Sequence, residues 1–144
     1  MVSLAQRYGS KSSLLRDISR QEEISEKYLG QIVIPLKSAG LVLSHRGSHG
    51  GYALSRPPAE ITVKEVVEAL EGTIAPVECV DPAAGDGREC RENAPVCARA
   101  THCVATRVWK KLRDDIVDSL SSFTLGDLAR QANEIGEPAE NYVI

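Results

Sequence analysis

Four cysteines are the residues of this chain whose type and spacing most directly indicate chemistry. Six residues separate Cys90 from Cys97, five separate Cys97 from Cys103, and Cys79 lies apart on the amino-terminal side. This spacing does not place three thiols on one face of a regular helix, whereas a loop can fold them around a cluster. Iron–sulfur clusters are held chiefly by thiolates, while zinc favours closer pairs such as Cys-x2-Cys, which are absent. We therefore predict a metal site at Cys90, Cys97 and Cys103.

The cysteine pattern leaves the details of the site open. A 2Fe-2S and a 4Fe-4S cluster both fit three thiolates and one further ligand. Cys79 is a candidate fourth ligand, a redox partner or a bystander. The alternative is three loop cysteines that bind no metal, although a cysteine cluster in a cytosolic chain more often indicates metal or thiol chemistry than structural disulfides.

Charge divides the chain into a basic and an acidic part. The 144 residues have a net charge of −3, which taken whole suggests no nucleic-acid partner. Residues 1–56, however, contain eight basic and four acidic side chains, and the remainder contains nine basic and 16 acidic ones. A basic unit joined to an acidic one is expected when only the first contacts phosphate, with chance clustering as the alternative.

Composition excludes several classes of function. Aromatic residues are 4% of the chain, too few for a base-stacking platform, and 42% apolar with 26% charged residues is typical of a globular protein. No apolar run reaches membrane-spanning length, and the N-terminus lacks the charged-then-apolar pattern of a signal peptide, so we expect a cytoplasmic protein. The sequence has no nucleotide-binding loop, paired carboxylates or Ser-His-Asp set, so we expect no enzyme.

A pair of short helices must position the basic residues. Ser12 or Ser13 is predicted to cap the first helix, and Ser25 the second, which Gly40 ends and Pro35 bends. Apolar residues at helical spacing are predicted to face inward from both helices: Leu14, Leu15, Ile18, Leu29, Ile32, Val33 and Leu36. The tight connection between the helices predicts a helix-turn-helix.

A β-hairpin is predicted directly after this pair, from strands Leu41–Ser44 and Tyr52–Leu54 around the sequence RGSHGG. Helix-turn-helix plus hairpin is a winged helix, so the fold class is mainly α with a small β wing. Arg46 lies at the tip, where a guanidinium can enter a narrow minor groove. The glycines that allow close approach are Gly47, Gly50 and Gly51.

The second helix of the pair is expected to enter the major groove of double-stranded DNA. Exposed residues near its start are expected to meet base edges or phosphates: Ser25, Lys27, Tyr28 and Gln31. Ser25 is alternatively only a cap and Tyr28 only a core residue. Lys27 and Gln31 have no such competing role.

The second half of the chain divides into a loop and two helices. Thr62 and Glu65 predict a capping box, and the helix that they open ends at Gly72. A long helix over Val104–Phe123 has an apolar stripe of Val104, Val108, Leu112, Ile116, Leu120 and Phe123. A second copy of this helix is the economical partner, which predicts a homodimer. Thr124 and Asp127 cap a last short helix.

We accordingly expect four segments. They are a winged helix-turn-helix over residues 1–72, a cysteine-bearing sensor loop over 73–103, a dimerisation helix with a short terminal helix over 104–135, and a flexible tail over 136–144.

Three runs of sequence together resemble the IscR/NsrR/CymR family of bacterial winged-helix transcription regulators. They are ISEKYLGQIVIPLKSAGLVLSHRGSHGGYALSRP, then ITVKEVVEALEG, then the three cysteines followed by VW and TLGDL. The resemblance covers residues 3–130 and implies a homodimer that binds a palindromic operator. In many members an iron–sulfur cluster in each subunit senses cluster supply, nitric oxide or redox state.

The resemblance also assigns residues. Cys90, Cys97 and Cys103 fall on the cluster cysteines and Arg46 on the wing arginine, and the positions that fall on the recognition helix are Ser25, Lys27 and Tyr28. Members usually begin earlier than Met1, with a basic segment and a full first helix. Thr106 stands where some members have a histidine ligand, with His102 as the nearest imidazole. Gly30 stands where a glutamate often helps to discriminate DNA sites.

The main hypothesis is therefore a regulator, a repressor, whose operator binding is controlled by the cluster. The first alternative is a clusterless regulator of the same fold that responds through thiol oxidation or a protein partner, for which CymR-like members are the precedent. A remote alternative is a small redox protein. Gel-shift binding of promoter DNA by the purified protein would distinguish either regulator from the redox protein.

Overall fold

The computed structural model describes residues 1–10, 12–47, 50–82, 97 and 102–136. Within these ranges the chain forms six α-helices and one two-stranded antiparallel hairpin. The elements are α1 (Val2–Gln6), α2 (Leu15–Glu22), α3 (Glu26–Ser38), β1 (Val42–His45), β2 (Gly51–Leu54), α4 (Val63–Glu71), α5 (Val104–Ser121) and α6 (Leu125–Gly136), with 3-10 turns at Pro58–Glu60 and Glu78–Val80. The predicted fold class, mainly α with a β wing, is confirmed.

One apolar core joins the helix pair, the hairpin and the last helix. Ile61 is completely buried at its centre, and Leu36 and Val42 are almost so. Leu125 and Ala129 of α6 belong to the same core, and α6 packs along α1. The division of the chain at residues 72, 103 and 135 stays a prediction, but α6 contributes to the core of the winged helix.

The predicted cap of α2 is wrong. Leu14, with extended backbone, occupies the position before the helix, and no side chain caps it. Ser13 instead pairs with Tyr52 of β2 in an antiparallel bridge, with N–H to O distances of 2.9 and 2.8 Å in the two directions. Ser13 thus lies one residue before the cap position, and its hydroxyl accepts from the Arg7 guanidinium at 3.4 Å.

The end of α3 sets the start of the hairpin. Gly40 has a φ of +71°, and the Leu41 N–H donates to the Leu36 carbonyl at 3.0 Å, as in a glycine-terminated helix. Leu41 is therefore part of the helix cap, and the strand begins one residue later than predicted. Pro35 lies inside the helix, as its sequence position requires.

The two predicted capping boxes are confirmed. The Thr62 hydroxyl accepts from the Glu65 N–H at 3.2 Å, and the Glu65 carboxylate accepts from the Thr62 N–H at 2.8 Å. Thr124 and Asp127 make the equivalent pair of bonds, each at 3.1 Å. Both helix starts were predictable because every group involved lies within four residues of the others.

A backbone bridge joins the starts of α4 and α6. The Val63 N–H donates to the Phe123 carbonyl at 2.9 Å, and the Leu125 N–H donates to the Ile61 carbonyl at 2.8 Å. Phe123 therefore belongs to this bridge, and α5 ends at Ser121 instead of the predicted Phe123. Of the helices described, none has the length and apolar character needed to cross a membrane.

Candidate DNA-binding surface and cysteine site

The outward face of α3 presents the predicted contact residues. Leu29, Val33 and Leu36 are buried on its inner face. Lys27 and Gln31 are exposed, and Tyr28 is 56% exposed, so Tyr28 is not a core residue. Ser25 is the N-cap of α3, because its hydroxyl accepts from the Tyr28 N–H at 3.2 Å. This bond leaves the hydroxyl proton of Ser25 available to a ligand.

Glycines give the wing its shape. Gly51 has a φ of +143°, and a Cβ there would lie 2.6 Å from the Ser13 carbonyl oxygen. A Cβ on Gly50 would lie 2.7 Å from the His45 carbonyl oxygen. Gly47, with a φ of +107°, follows the exposed Arg46. These glycines are thus needed to build the hairpin, whatever their role towards DNA.

Several basic residues of the amino-terminal part are engaged within the protein. Arg7 donates to the Gln21 side chain at 2.6 Å, and the Arg56 guanidinium pairs with Glu65 at 2.5 Å. Lys27 and Arg46, in contrast, make no hydrogen bond or ion pair with any residue that the structure describes. Their charges are therefore available to phosphate.

Lys37 links the recognition helix to the wing. Its ammonium donates to the Ser44 hydroxyl at 2.8 Å, which connects the last turn of α3 to β1. With the Ser13–Tyr52 bridge on the other strand, the wing is attached on two sides. Sequence reasoning missed both attachments, because a backbone bridge between distant residues and a lysine–serine bond between two elements leave no pattern in the sequence.

The cysteines are placed only in part. Cys97 is exposed, and Cys103 and Cys79 are half-buried; Cys90 lies outside the described residues. Within the described ranges no three potential ligands converge. The prediction that Cys90, Cys97 and Cys103 form one site therefore stays a prediction.

Cys103 occupies the N-cap position of α5. The backbone N–H groups of Ala105 and Thr106, followed by the Thr106 side chain, hold the pKa of the Cys103 thiol below its ordinary value. A thiolate at a helix start is a suitable ligand for a metal cluster, so the donor chemistry of this residue fits the predicted cofactor. His102, immediately before it, is exposed.

The apolar stripe of α5 has two halves with different surroundings. Val104 is 83% exposed and Val108 66%, and Leu112 is also exposed. Ile116 and Leu120, in contrast, are half-buried. A four-residue spacing turns by about 40° at each step, because α-helix residues are about 100° apart, so the stripe winds from solvent towards α4. Only its first half remains open to a partner.

The start of the cysteine-bearing segment packs against α5. The 3-10 turn that contains Cys79 packs against α5, and the Arg113 guanidinium donates to the Val80 carbonyl at 2.7 Å. Val80 is buried. Thr73 donates its hydroxyl to Asp81 at 2.9 Å. Both ends of the segment between Asp81 and Cys103 thus adjoin the same helix.

Comparison with known proteins gives consistent relatives. A family model, Rrf2, described as an iron-dependent transcriptional regulator, matches residues 1–131. The HTH-type transcriptional regulator CymR of Bacillus subtilis is 36% identical over 90% of this chain and 80% of its own. The HTH-type transcriptional regulator IscR of Cereibacter sphaeroides is 31% identical over 90% of this chain and 77% of its own.

Solved structures agree with the sequence relatives. CymR (YrzC), the global cysteine regulator of B. subtilis, superposes with a TM-score of 0.67 at 35% identity, covering 90% of this chain and 87% of that one. IscR of T. potens superposes with a TM-score of 0.72 at 31% identity, covering 98% and 85%. The named relatives are transcriptional regulators, and transcriptional regulators are not enzymes. The chain therefore belongs to the Rrf2 family and is a transcriptional regulator with a winged helix-turn-helix.

Proposed function

We propose that this protein is a cytoplasmic homodimer that represses transcription from a palindromic operator, with an affinity set by an iron–sulfur cluster at Cys90, Cys97 and Cys103. The proposal depends above all on one observation. Cys103, a predicted ligand, is the N-cap of α5, the helix whose exposed residues are the ones suited to dimerisation. A change at this thiol therefore acts directly on the helix that would space the two DNA-binding units.

The proposed DNA contacts lie on two elements. Lys27, Tyr28 and Gln31 are exposed on α3, and Arg46 is exposed on the wing. In a winged helix the second helix enters the major groove, and an arginine on the wing reaches phosphate or the minor groove. Ser25, at the start of α3, adds a hydroxyl and the helix N-terminus, which favour phosphate.

The proposed dimer contact is the open half of the α5 stripe. Val104, Val108 and Leu112 project from the first half of the helix and are exposed. Packing against the same residues of a second copy would remove this apolar surface from water. Half-sites on a palindromic operator lie about one DNA turn apart, so the angle between two α5 helices decides whether both α3 helices fit.

Packing supplies a route from Cys103 to the recognition helix. α5 packs on α4, and α4 packs on α3, so the three helices form one continuous contact chain. When bound, the cluster would supply a redox-sensitive connection between Cys103 and the preceding loop. Arg113 holds the base of that loop on α5 through the Val80 carbonyl. Release of the loop would therefore loosen α5 at its first turn, where the dimer contact is proposed.

The test combines spectroscopy with DNA binding on anaerobically purified protein. Broad absorbance between about 320 and 460 nm, with iron and sulfide in matching amounts, is expected. Cys97→Ser and Cys103→Ser should each lose this absorbance and change operator affinity. Cys79→Ser tests the open role of Cys79: loss of the absorbance would identify it as the fourth ligand, and retention would make it a bystander. An operator affinity that is identical for the wild type and the cysteine variants under all redox conditions would contradict the proposal.

A second candidate is regulation by thiol oxidation without a cluster. Cys97 is exposed, and Cys103 lies at a helix start, where thiolates are stabilised. Iron-free protein that resists cluster reconstitution, and whose DNA binding still responds to peroxide, would favour this candidate. A peroxide response lost in Cys103→Ser but kept in Cys79→Ser would place the switch at α5.

A further inference from the structure

The outward face of α3 contains one apolar residue in line with its polar ones. Lys27, Gln31, Ile34 and Ser38 are spaced by four, three and four residues, so they fall within one narrow arc of the helix. All four are exposed, and Ile34 is 66% exposed. The arc lies opposite the buried Leu29, Val33 and Leu36. Ile34 thus shares the surface on which contacts to bases are proposed.

Gly30 leaves an opening beside Ile34. A Cβ placed on Gly30 would meet no atom within 4 Å, so the space above this residue is empty. Side chains on an α-helix lean towards its N-terminus, and position 30 lies one turn before position 34. Because Gly30 has no side chain, the helix surface next to Ile34 is open to a partner. We refer to these two residues as the 30/34 notch.

We infer that the 30/34 notch receives the 5-methyl group of a thymine in the operator. The inference rests on the proposed function, since it requires α3 to enter the major groove. The thymine methyl is the apolar feature of the major-groove edge, and apolar side chains recognise it by contact. Lys27 and Gln31 on the same arc recognise polar groups, so Ile34 adds discrimination that neither of them can provide.

The notch leaves room for a methyl group to reach Ile34. Gly30 removes one side chain from the helix face, which lets the backbone approach a base pair closely. Ile34 is stiff because it is branched at Cβ, so its methyl groups lose little further freedom on contact. A lone exposed isoleucine is in itself ordinary; its alignment with Lys27 and Gln31 over an open glycine is what points to DNA.

The experiment compares thymine with deoxyuridine, which lacks only the methyl group. Duplexes that the full-length wild type retains are first selected from a random library. Each thymine of the selected site is then replaced in turn, and affinities are measured by fluorescence anisotropy for the wild type, Ile34→Ala and Ile34→Val. At one symmetric position the replacement should weaken wild-type binding about fourfold per half-site, as expected for one buried methyl group.

The test depends on whether the effect of replacing thymine with deoxyuridine changes when Ile34 is replaced. Ile34→Ala should weaken binding to the thymine site by a similar factor and should be insensitive to the same replacement, whereas Ile34→Val should keep most of the sensitivity. Because the replacement also alters DNA shape, only the loss of sensitivity in Ile34→Ala supports the notch. Ile135→Ala is the matched control: Ile135 is 85% exposed on α6, and its removal should change nothing.

Two different failures are distinguishable. If the folded wild type retains no duplex above background, the proposed DNA binding itself fails. If it retains a defined site, but no deoxyuridine replacement weakens binding or Ile34→Ala keeps the full sensitivity, the notch is overturned while the DNA-binding function stands. Unchanged melting temperatures of the variants would show that the fold is intact, as the exposure of Ile34 leads us to expect.

Discussion

The residues of the proposed DNA-binding surface differ in how much they contribute to the stability of the fold. Ser25 caps α3, and Gly51 makes room for the Ser13 carbonyl, so replacing either would disturb the fold as well as any DNA contact. Arg46 neither caps a helix nor shapes the hairpin, because it is exposed and bonds to no described residue. It is thus the residue at which DNA binding can be tested with least effect on folding.

Arg46→Ala should weaken operator binding about tenfold or more at low salt, since a charged hydrogen-bond donor is removed. The slope of log affinity against log salt should fall by about 0.9 for each phosphate that the variant no longer neutralises. Titrations at several salt concentrations measure both quantities. Arg130→Ala, which removes an exposed arginine from α6, is the control and should leave the slope unchanged. Equal slopes for wild type and Arg46→Ala would place Arg46 away from phosphate.

Carboxylates at the starts of α4 and α6 make the stability of the fold depend on pH. Partial burial raises the pKa of Glu65, but the backbone N–H and hydroxyl of Thr62 and the Arg56 guanidinium more than offset it, so the pKa is lowered overall. Bonds from Thr124 and then Arg130 likewise lower the pKa of Asp127. A carboxylate whose pKa is lowered by folding stabilises the fold above its unfolded-state pKa, and this contribution is lost as the pH falls through the folded-state pKa.

Glu65→Gln keeps the capping box but loses the charge that faces Arg56 and the helix start, so it should destabilise the protein at neutral pH by about 0.5–1 kcal/mol. The difference from wild type should shrink as the pH falls below the ordinary glutamate pKa of about 4.3. Urea unfolding from neutral to acid pH measures it. Glu60→Gln is the control, because the Glu60 side chain is exposed and has no partner among the described residues. A difference that stays constant with pH would mean that the charge of Glu65 contributes nothing.

Elements defined by neighbours in sequence were predictable, and those defined by distant partners were not. Both capping boxes, the start of α3 and the stop at Gly40 follow from residues a few positions apart. The cap of α2 was predicted wrongly because Leu14 occupies the cap position, while the backbone of Ser13 pairs with Tyr52, far along the chain. The exposed contact residues of α3 follow from helical spacing, whereas the place of Cys103 at the start of α5 could be expected only from the family resemblance and the predicted helix boundary.

For the whole molecule, the open half of α5 is the feature that matters most. Its exposed apolar residues are separate from the core, and the same helix begins at Cys103 and holds the turn of Cys79. The proposed dimer contact, the cysteine segment and the winged helix therefore meet on one element. A change in any one of them is expected to affect the other two through α5.

Leu112→Glu should convert the proposed dimer to a monomer, because it would place a charge in the apolar contact. It should also reduce affinity for a two-half-site operator far more than for a single half-site. Sedimentation velocity and binding titrations measure the two effects. Lys110→Glu introduces the same side chain at an exposed position on another face of α5 and should leave the dimer intact. If wild type sediments as a monomer, the dimer proposal fails outright.

The bridge between the starts of α4 and α6 has a topological consequence. Because Val63 and Leu125 bond across it, the chain between them, which includes α4 and α5, starts and ends at neighbouring points of the core. Closing such a loop costs little more for a long segment than for a short one, so its length can change without moving its two ends. The segment between α4 and α5 can therefore lengthen or shorten over evolutionary time while the two sides of the bridge keep their places on the core.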